Sequence, residues 1–377
     1  MSGLLVHEWF AKTGGSEKVV AQIQLAFPDA DLQVLWDDRE PRGIRTRETW
    51  LSRTPLRNHK ALALPFEIPT WRTLRSESDY DWMLVSSHLF AHHARLARQP
   101  DLTKLVYAHT PARYIWEPSL DERGSNPLVK LAATALKPLD RRRAGEATRV
   151  AANSEFTRQR IQRSWRRDSD VIYPPVDTER IQRVSYWADV LSEGDREILE
   201  SVPDSFILGA SRMVPYKRLD LVIAAGEATD SPVVLAGDGP LWDTLKQRAH
   251  SARVPVHLIR QPSDELLFSL YQRARCFIFP AVEDFGIMPV EAMSAGVPVI
   301  VPAVGGAAES VRIASGGATV HSFEEGSWRE AIASCDAIDR SLLPARASFF
   351  SASRFRDEIQ GWVRSQADAS AEGRSST

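Results

Sequence analysis

Short apolar runs recur along this chain, separated by longer amphipathic stretches. That alternation points to βα units and parallel sheets. A strand buried on both faces is apolar throughout, whereas the helix that crosses back is apolar along one stripe. Leu4-Leu5-Val6 reads as the first strand. Gly14-Gly15 breaks it, and residues 16–27 read as a helix with Val19, Val20, Ile23 and Ala26 at helical spacing. Further strands are expected at 32–36, 82–86, 105–108, 150–153 and 171–173, the last stopped by Pro174-Pro175. Ser154 is placed to cap the helix that follows the fourth of these. The second half repeats the scheme, with strands at 206–210, 233–236, 256–259, 276–279 and 297–301 and helices at 219–228, 241–250, 264–273 and 289–295. No repeat of solenoid period is present.

A length of 377 residues suits two ordinary domains. The fold class expected is α/β, with two Rossmann-like domains whose parallel sheets face each other across a cleft. Ligands in such sheets sit at the carboxyl ends of strands, so the residues just after each strand are the ones to examine. The polar stretch 186–203 marks the domain junction, giving domains at 1–195 and 196–346. Residues 347–366 read as a helix that packs across the junction. Residues 367–377 are small and polar and are expected to be disordered.

Charge narrows the partners. The formal net charge is -2, which speaks against nucleic acid as a partner. The two cysteines, Cys276 and Cys335, fit a reducing compartment and no metal cluster. No run of apolar residues is long enough to span a bilayer, and the first ten residues lack the basic start of a signal peptide. A cytoplasmic protein is expected. Basic residues nevertheless concentrate in the first half. Residues 123–167 hold twelve Lys/Arg against Asp140, Glu146 and Glu155, and residues 45–75 hold seven against Glu48 and Glu67. The second stretch also carries Leu56, Leu62, Leu64, Phe66, Trp71 and Leu74. Solvated helix faces would account for both. A peripheral contact with an anionic membrane surface or a lipid pyrophosphate is the functional alternative.

Three segments carry the chemistry. The densest is Glu283-Asp284-Phe285-Gly286-Ile287-Met288-Pro289-Val290-Glu291, continued by Ala-Met-Ser-Ala-Gly-Val-Pro-Val-Ile to residue 300. It reads as a loop, a helix start and a further strand. Amides at Phe285, Gly286, Ile287 and Met288 would face a phosphate at the helix start, where the dipole favours an anion. Glu283 and Glu291 can each accept hydrogen bonds from vicinal hydroxyls. The second segment runs from Gly209 to Arg218, with Arg212 and Lys217 just beyond a strand. Arg offers a fork and Lys a point charge, so the two together suit a diphosphate. The third is the turn Gly237-Asp238-Gly239-Pro240, also after a strand.

In this order, these segments resemble glycosyltransferase family 4, retaining enzymes of the GT-B fold. In the first half, Gly14-Gly15-Ser16-Glu17-Lys18, Tyr107-Ala108-His109-Thr110-Pro111-Ala112-Arg113-Tyr114 and Asn153-Ser154-Glu155-Phe156-Thr157 look like the same family. The histidine segment and the glutamate motif together are most similar to a bacterial subgroup that includes mannosyltransferases of surface polysaccharide assembly.

The resemblance implies roles. The first domain would bind the acceptor and the second the nucleotide-sugar donor. Arg212 and Lys217 would hold the pyrophosphate, Glu291 the ribose hydroxyls and Glu283 the transferred sugar. Asp238 would belong to the donor loops, and the backbone of Phe285, Gly286, Ile287 and Met288 would cover phosphate and sugar. Gly14 and Gly15 would let the first loop approach the diphosphate. His109 would lie at the reactive face of the sugar. His88, His92 and His93 read as structural or surface residues, since no carboxylate stands at ligand spacing from them.

The chemistry expected is transfer of a hexose with retention, by attack from the face that the diphosphate leaves, with no cofactor and no metal. Asp29-x-Asp31 has the spacing of a metal motif but lies near a helix end. Double displacement through two carboxylates is the mechanistic alternative. GDP-mannose is the expected donor, with UDP-sugars second, and the expected acceptor is a saccharide or lipid-linked saccharide in cell-surface polysaccharide synthesis. Ser211 stands directly before Arg212 where many family members have Gly. That substitution costs little unless the backbone there needs positive φ. An epimerase, a phosphorylase or a non-catalytic nucleotide-sugar binder on the same fold are the competing readings.

Overall fold

The computed structural model describes residues 2–11, 14–39, 46–117 and 127–375, without the side chains of residues 61, 114, 127–132 and 369–375. Arg45, Arg123 and the Lys130 side chain, counted in the basic stretches above, lie outside the described residues, as do residues 376–377 of the tail.

The chain divides into two compact units, Met1–Pro175 with Ser353–Thr377, and Val176–Ala352. The first holds a seven-stranded parallel sheet in the order β3-β2-β1-β4-β5-β6-β7. Its strands are β1 (Gly3–His7), β2 (Asp31–Val34), β3 (Arg47–Glu48), β4 (Trp82–Ser87), β5 (Thr103–Ala108), β6 (Arg149–Ala152) and β7 (Asp170–Val171). Every residue of β1, β4 and β5 is buried, and the apolar residues at the middle of each strand suit a sheet covered on both sides. Alternate residues feed two cores. Leu4 and Val6 face Trp36, Trp71, Phe90 and Trp165. Leu5 faces Val19, Val20 and Ile23 of the helix Gly15–Ala26, together with Phe355, Ile359 and Val363.

The second unit holds six parallel strands in the order β10-β9-β8-β11-β12-β13. They are β8 (Ile207–Ala210), β9 (Val233–Gly237), β10 (Val256–Arg260), β11 (Cys276–Ile278), β12 (Val299–Pro302) and β13 (Gly317–Val320). Cys276 and Cys335, 59 positions apart in sequence, are buried unbridged thiols of one core in this unit. No helix among the described residues is long and apolar enough to cross a membrane.

The unit boundary falls at Pro175/Val176 rather than at 195/196. The polar segment that looked like a linker holds a 3-10 turn, Trp187–Val190, and a helix, Glu193–Ser201, and with the preceding helix Thr178–Arg183 it belongs to the second unit. Trp187 packs on Phe268 with ring centroids 4.9 Å apart, its amide bonds Gln272 at 2.8 Å, and Arg180 pairs with Asp264 at 2.8 Å. The terminal helix also differs from expectation. It starts at Ala352 and runs to Ser375, past the expected end at 366. Its Ala367, expected in the disordered tail, is buried against the first unit's core. Residues 343–351 belong to the second unit, where the Val176 amide donates to the Phe350 carbonyl at 2.9 Å. The seventh strand ends at Val171, two residues short of the expected Tyr173.

Candidate active site

In the second unit, the loop after β8 carries Arg212 and Lys217 at the carboxyl edge of the sheet. A 3-10 turn, Pro215–Lys217, closes it. Arg212 is exposed and donates to the Tyr216 hydroxyl at 3.2 Å. Lys217 lies over the Tyr216 ring at 5.4 Å and the Phe279 ring at 4.7 Å. Tyr216 therefore touches both cations. Ser211 is buried and is not among the residues with positive φ, so it fits where glycine is common.

Lys217 Nζ donates to Glu283 Oε1 at 2.6 Å, with only 12% and 17% of the two side chains exposed. The second loop thus meets the first through an ion pair screened from bulk water. Gly286 follows with φ 85°, a conformation that an L side chain resists, and caps the helix Ile287–Ser294. The first amides of a helix have no partner within it, so this start presents donors at the same loop. The Glu283 carbonyl accepts from the Gly306 amide at 2.8 Å, which pins the loop from behind. Glu291 is half-buried inside the helix that begins at Ile287. It neighbours Tyr271, whose phenol is pushed up first by burial and then by the Glu291 charge.

The turn after β9 explains its own glycines. Gly237 and Gly239 have φ of 143° and 151°, and a Cβ on either would strike the backbone of Ser211 or Met213. The Arg212 loop therefore rests directly on this turn. Asp238 accepts from the Gly239 amide at 2.8 Å, from Arg260 at 3.1 Å and from Gln261 at 2.5 Å. The Gly239 N–H, before the other partners, holds its carboxyl below the usual range. The Asp238 side chain braces the turn on which the Arg212 loop rests.

In the first unit, His109 follows β5. Its Nε2 is 2.8 Å from Ser86 Oγ, and its amide donates to the Ser87 carbonyl at 2.8 Å. Burial, then the neighbouring His88 and His7, push its imidazole down to about 3, so it is neutral at physiological pH. Gly14 precedes the helix Gly15–Ala26 in extended backbone, with φ -179°. A side chain there would meet the flexible Glu17 carboxylate.

The reading of His92 and His93 as structural holds, since both are buried, but its ground, that no carboxylate stands near the histidines, does not. Carboxylates do face them, brought from distant positions by the fold. Glu8 Oε2 lies 3.2 Å from His88 Nδ1. Asp140 Oδ1 lies 3.0 Å from His92 Nε2 and 3.1 Å from His93 Nε2. Asp140 Oδ2 also accepts from the Trp116 and Trp165 indoles at 2.7 and 2.8 Å. His92, His93, Asp140 and Trp165 are wholly buried in the core. Burial, then the His92 charge, push His93 down to about 4. Glu8 and His88 directly follow β1 and β4, so strand-end position was the signal that would have found them. Asp31 proves to be the first residue of β2, bonded to Tyr80 at 2.6 Å and Arg47 at 3.0 Å, at the edge opposite the carboxyl ends.

Comparison with known proteins gives the family and the fold. Residues 13–180 match the family model described as Glycosyltransferase Family 4, and residues 193–336 match that of glycosyl transferases group 1. A D-inositol 3-phosphate glycosyltransferase of Mycolicibacterium smegmatis is 29% identical over 228 residues, covering 56% of this chain and 50% of that protein. The chain thus aligns with about half the length of that curated relative. Among solved structures, Anabaena HepE in complex with UDP superposes with a TM-score of 0.66 at 20% identity, covering 97% of this chain and 100% of HepE. The sucrose-phosphate synthase of Thermosynechococcus elongatus gives 0.71 at 17% identity, covering 98% and 99%. With its two parallel sheets, the Arg212/Lys217 loop and the Glu283 motif, the chain belongs to the glycosyltransferases of family 4 type, on the GT-B fold.

Proposed function

We propose that this chain transfers a hexose from a nucleotide-sugar to a saccharide or lipid-linked saccharide, with retention of configuration and without metal. The observation that carries the reading is the half-buried Lys217–Glu283 pair beside the start of the helix Ile287–Ser294, with Arg212 on the same loop as Lys217. As the anomeric bond to the diphosphate lengthens, charge grows on the departing oxygen. Arg212, Lys217 and the helix amides oppose that charge. Glu283, steadied by Lys217, accepts from sugar hydroxyls, and Glu291 from the ribose. The acceptor hydroxyl attacks from the face the diphosphate leaves, and its proton passes to the departing phosphate oxygen. GDP-mannose is the proposed donor, on the resemblance to mannosyltransferases of surface polysaccharide assembly. A UDP-sugar is the second reading, favoured by the HepE structures in complex with UDP and with UDP-glucose.

The chain is proposed to work in the cytoplasm at the inner face of the membrane. Trp50, Leu62 and Phe66 are exposed at 53%, 62% and 43%, next to the exposed cations Arg53 and Lys60. Co-sedimentation with anionic but not neutral vesicles tests that part.

The deciding experiment is thermal stabilisation by GDP, UDP and ADP, each with and without magnesium. A ligand of the folded state raises the midpoint through linkage. A shift with one nucleotide, unchanged by magnesium, supports the donor reading and names the base. A shift that needs magnesium overturns the metal-free part. No shift with any of the three overturns the reading of Arg212, Lys217 and Glu291.

A further inference from the structure

Glu8 is wholly buried just after β1. Its Oε1 accepts four hydrogen bonds, from Ser87 Oγ at 3.1 Å and from the amides of His88, Leu89 and Ala91 at 3.0, 2.8 and 3.1 Å. One carboxylate oxygen thus ties down the loop after β4. Oε2 takes part in none of these bonds. It faces two imidazoles, His88 Nδ1 at 3.2 Å and His7 Nδ1 at 3.7 Å. Burial raises the Glu8 carboxyl, but His88, His7 and the loop amides outweigh it and hold the group at about 2, so it is an anion. His7 Nδ1 already lies 3.2 Å from the Ser86 carbonyl, so His88 Nδ1 is the nearer charge contact of Oε2, although neither of these two atoms makes a hydrogen bond.

The His88 ring is fixed by its neighbours. Trp9 meets it edge-on at 5.2 Å, His7 lies at 5.6 Å and His109 at 6.4 Å. Its Nδ1 is buried while 26% of the side chain is exposed, so the Nε2 edge is the one left to solvent. In the neutral ring, an anion 3.2 Å from Nδ1 favours the proton on that nitrogen, which leaves the Nε2 lone pair on the outward edge. A structural role would not need this arrangement, because Oε1 alone already anchors the loop.

We propose that His88, oriented by Glu8, recognises the acceptor: its Nε2 accepts a hydrogen bond from a hydroxyl of a polyhydroxylated ring, beside His109. This inference rests on the glycosyltransferase reading and adds a residue of the first unit to it.

The test uses the full chain as wild type, His88→Ala and His88→Gln. The Gln amide oxygen can take the place of Nε2. The probes are methyl α-mannoside, methyl α-glucoside, methyl α-galactoside and myo-inositol, titrated while the thermal midpoint is followed, with GDP and UDP as a separate arm. At least one probe is expected to stabilise the wild type. His88→Ala should bind it about three- to tenfold more weakly, the effect of losing one hydrogen bond, and His88→Gln should recover most of the loss. The nucleotide response should be the same in all three proteins. A His88→Ala protein that keeps full probe affinity overturns the proposal, as does a wild type that answers to no probe. If probe and nucleotide responses fall together, His88 is structural. If no nucleotide acts on the wild type, the donor reading fails, and the probe arm still decides His88.

Discussion

Glu67 lies on the helix Lys60–Arg72, wholly buried, with neither carboxylate oxygen hydrogen-bonded. Burial, with the charge of Glu8 added, pushes its carboxyl up to about 9 against the pull of Lys60. The folded protein therefore holds a proton that the unfolded chain releases near its ordinary value of 4.5. With the folded value raised, the stability this group contributes is full below the unfolded value and is lost as pH climbs towards 9. Glu67→Gln, neutral at every pH, should melt progressively above the wild type as pH rises from about 5 to 9. Parallel melting curves across that range would remove Glu67 as the cause. The cations make a second prediction at this scale. Arg212→Ala and Lys217→Ala should each lower kcat by about 10²–10³, the usual loss for one group opposing transition-state charge, with circular dichroism unchanged. A variant with near-full turnover would remove its residue from the site. Arg212, Lys217, Glu283 and Glu291 were readable because their types and spacing are dense in sequence. Glu67 and Glu8 were not readable, since burial and long-range partners define them.

Elements end where local chemistry tells them to. The Ser154 hydroxyl accepts from the Thr157 amide at 3.0 Å and caps the helix Glu155–Trp165, as its position after a strand led one to expect. Ser154→Ala should cost about 1 kcal/mol, measured by denaturant unfolding. The turn after β9 is less forgiving. Gly237→Ala forces a side chain into positive φ and onto the Ser211 carbonyl, so it should lower the melting midpoint and weaken nucleotide binding together. Normal binding in that variant would mean that the Arg212 loop does not depend on the turn.

At the scale of the whole molecule, the two units have separate cores, and the chain returns to the first for its last helix. Phe355, Ile359 and Val363 sit in the same cluster as Leu5, Val20 and Tyr107, and the Tyr107 and Phe355 ring centroids are 5.8 Å apart. Phe355→Ala should therefore cost about 3–5 kcal/mol, the usual range for removing a buried ring. Calorimetry with and without nucleotide assigns the loss: a nucleotide held by the second unit should still stabilise that unit in the variant. Loss of the nucleotide response would tie the terminal helix to the donor loops.

The sequence by itself determined the alternation of strands and helices, the two parallel sheets and the motif loops at their carboxyl edges. Those features arise from local periodicity and from residues close together in the chain. Only the tertiary structure decided where one unit stops, because the 176–203 segment is polar on its outer face and packs by Trp187 and Arg180 on residues some 85 positions away. It alone joined Glu8 to His88 and Asp140 to His92 and His93, pairings across 80, 48 and 47 positions of sequence. No spacing rule reaches that far, and a carboxylate buried as an anion must find its partners wherever the fold brings them.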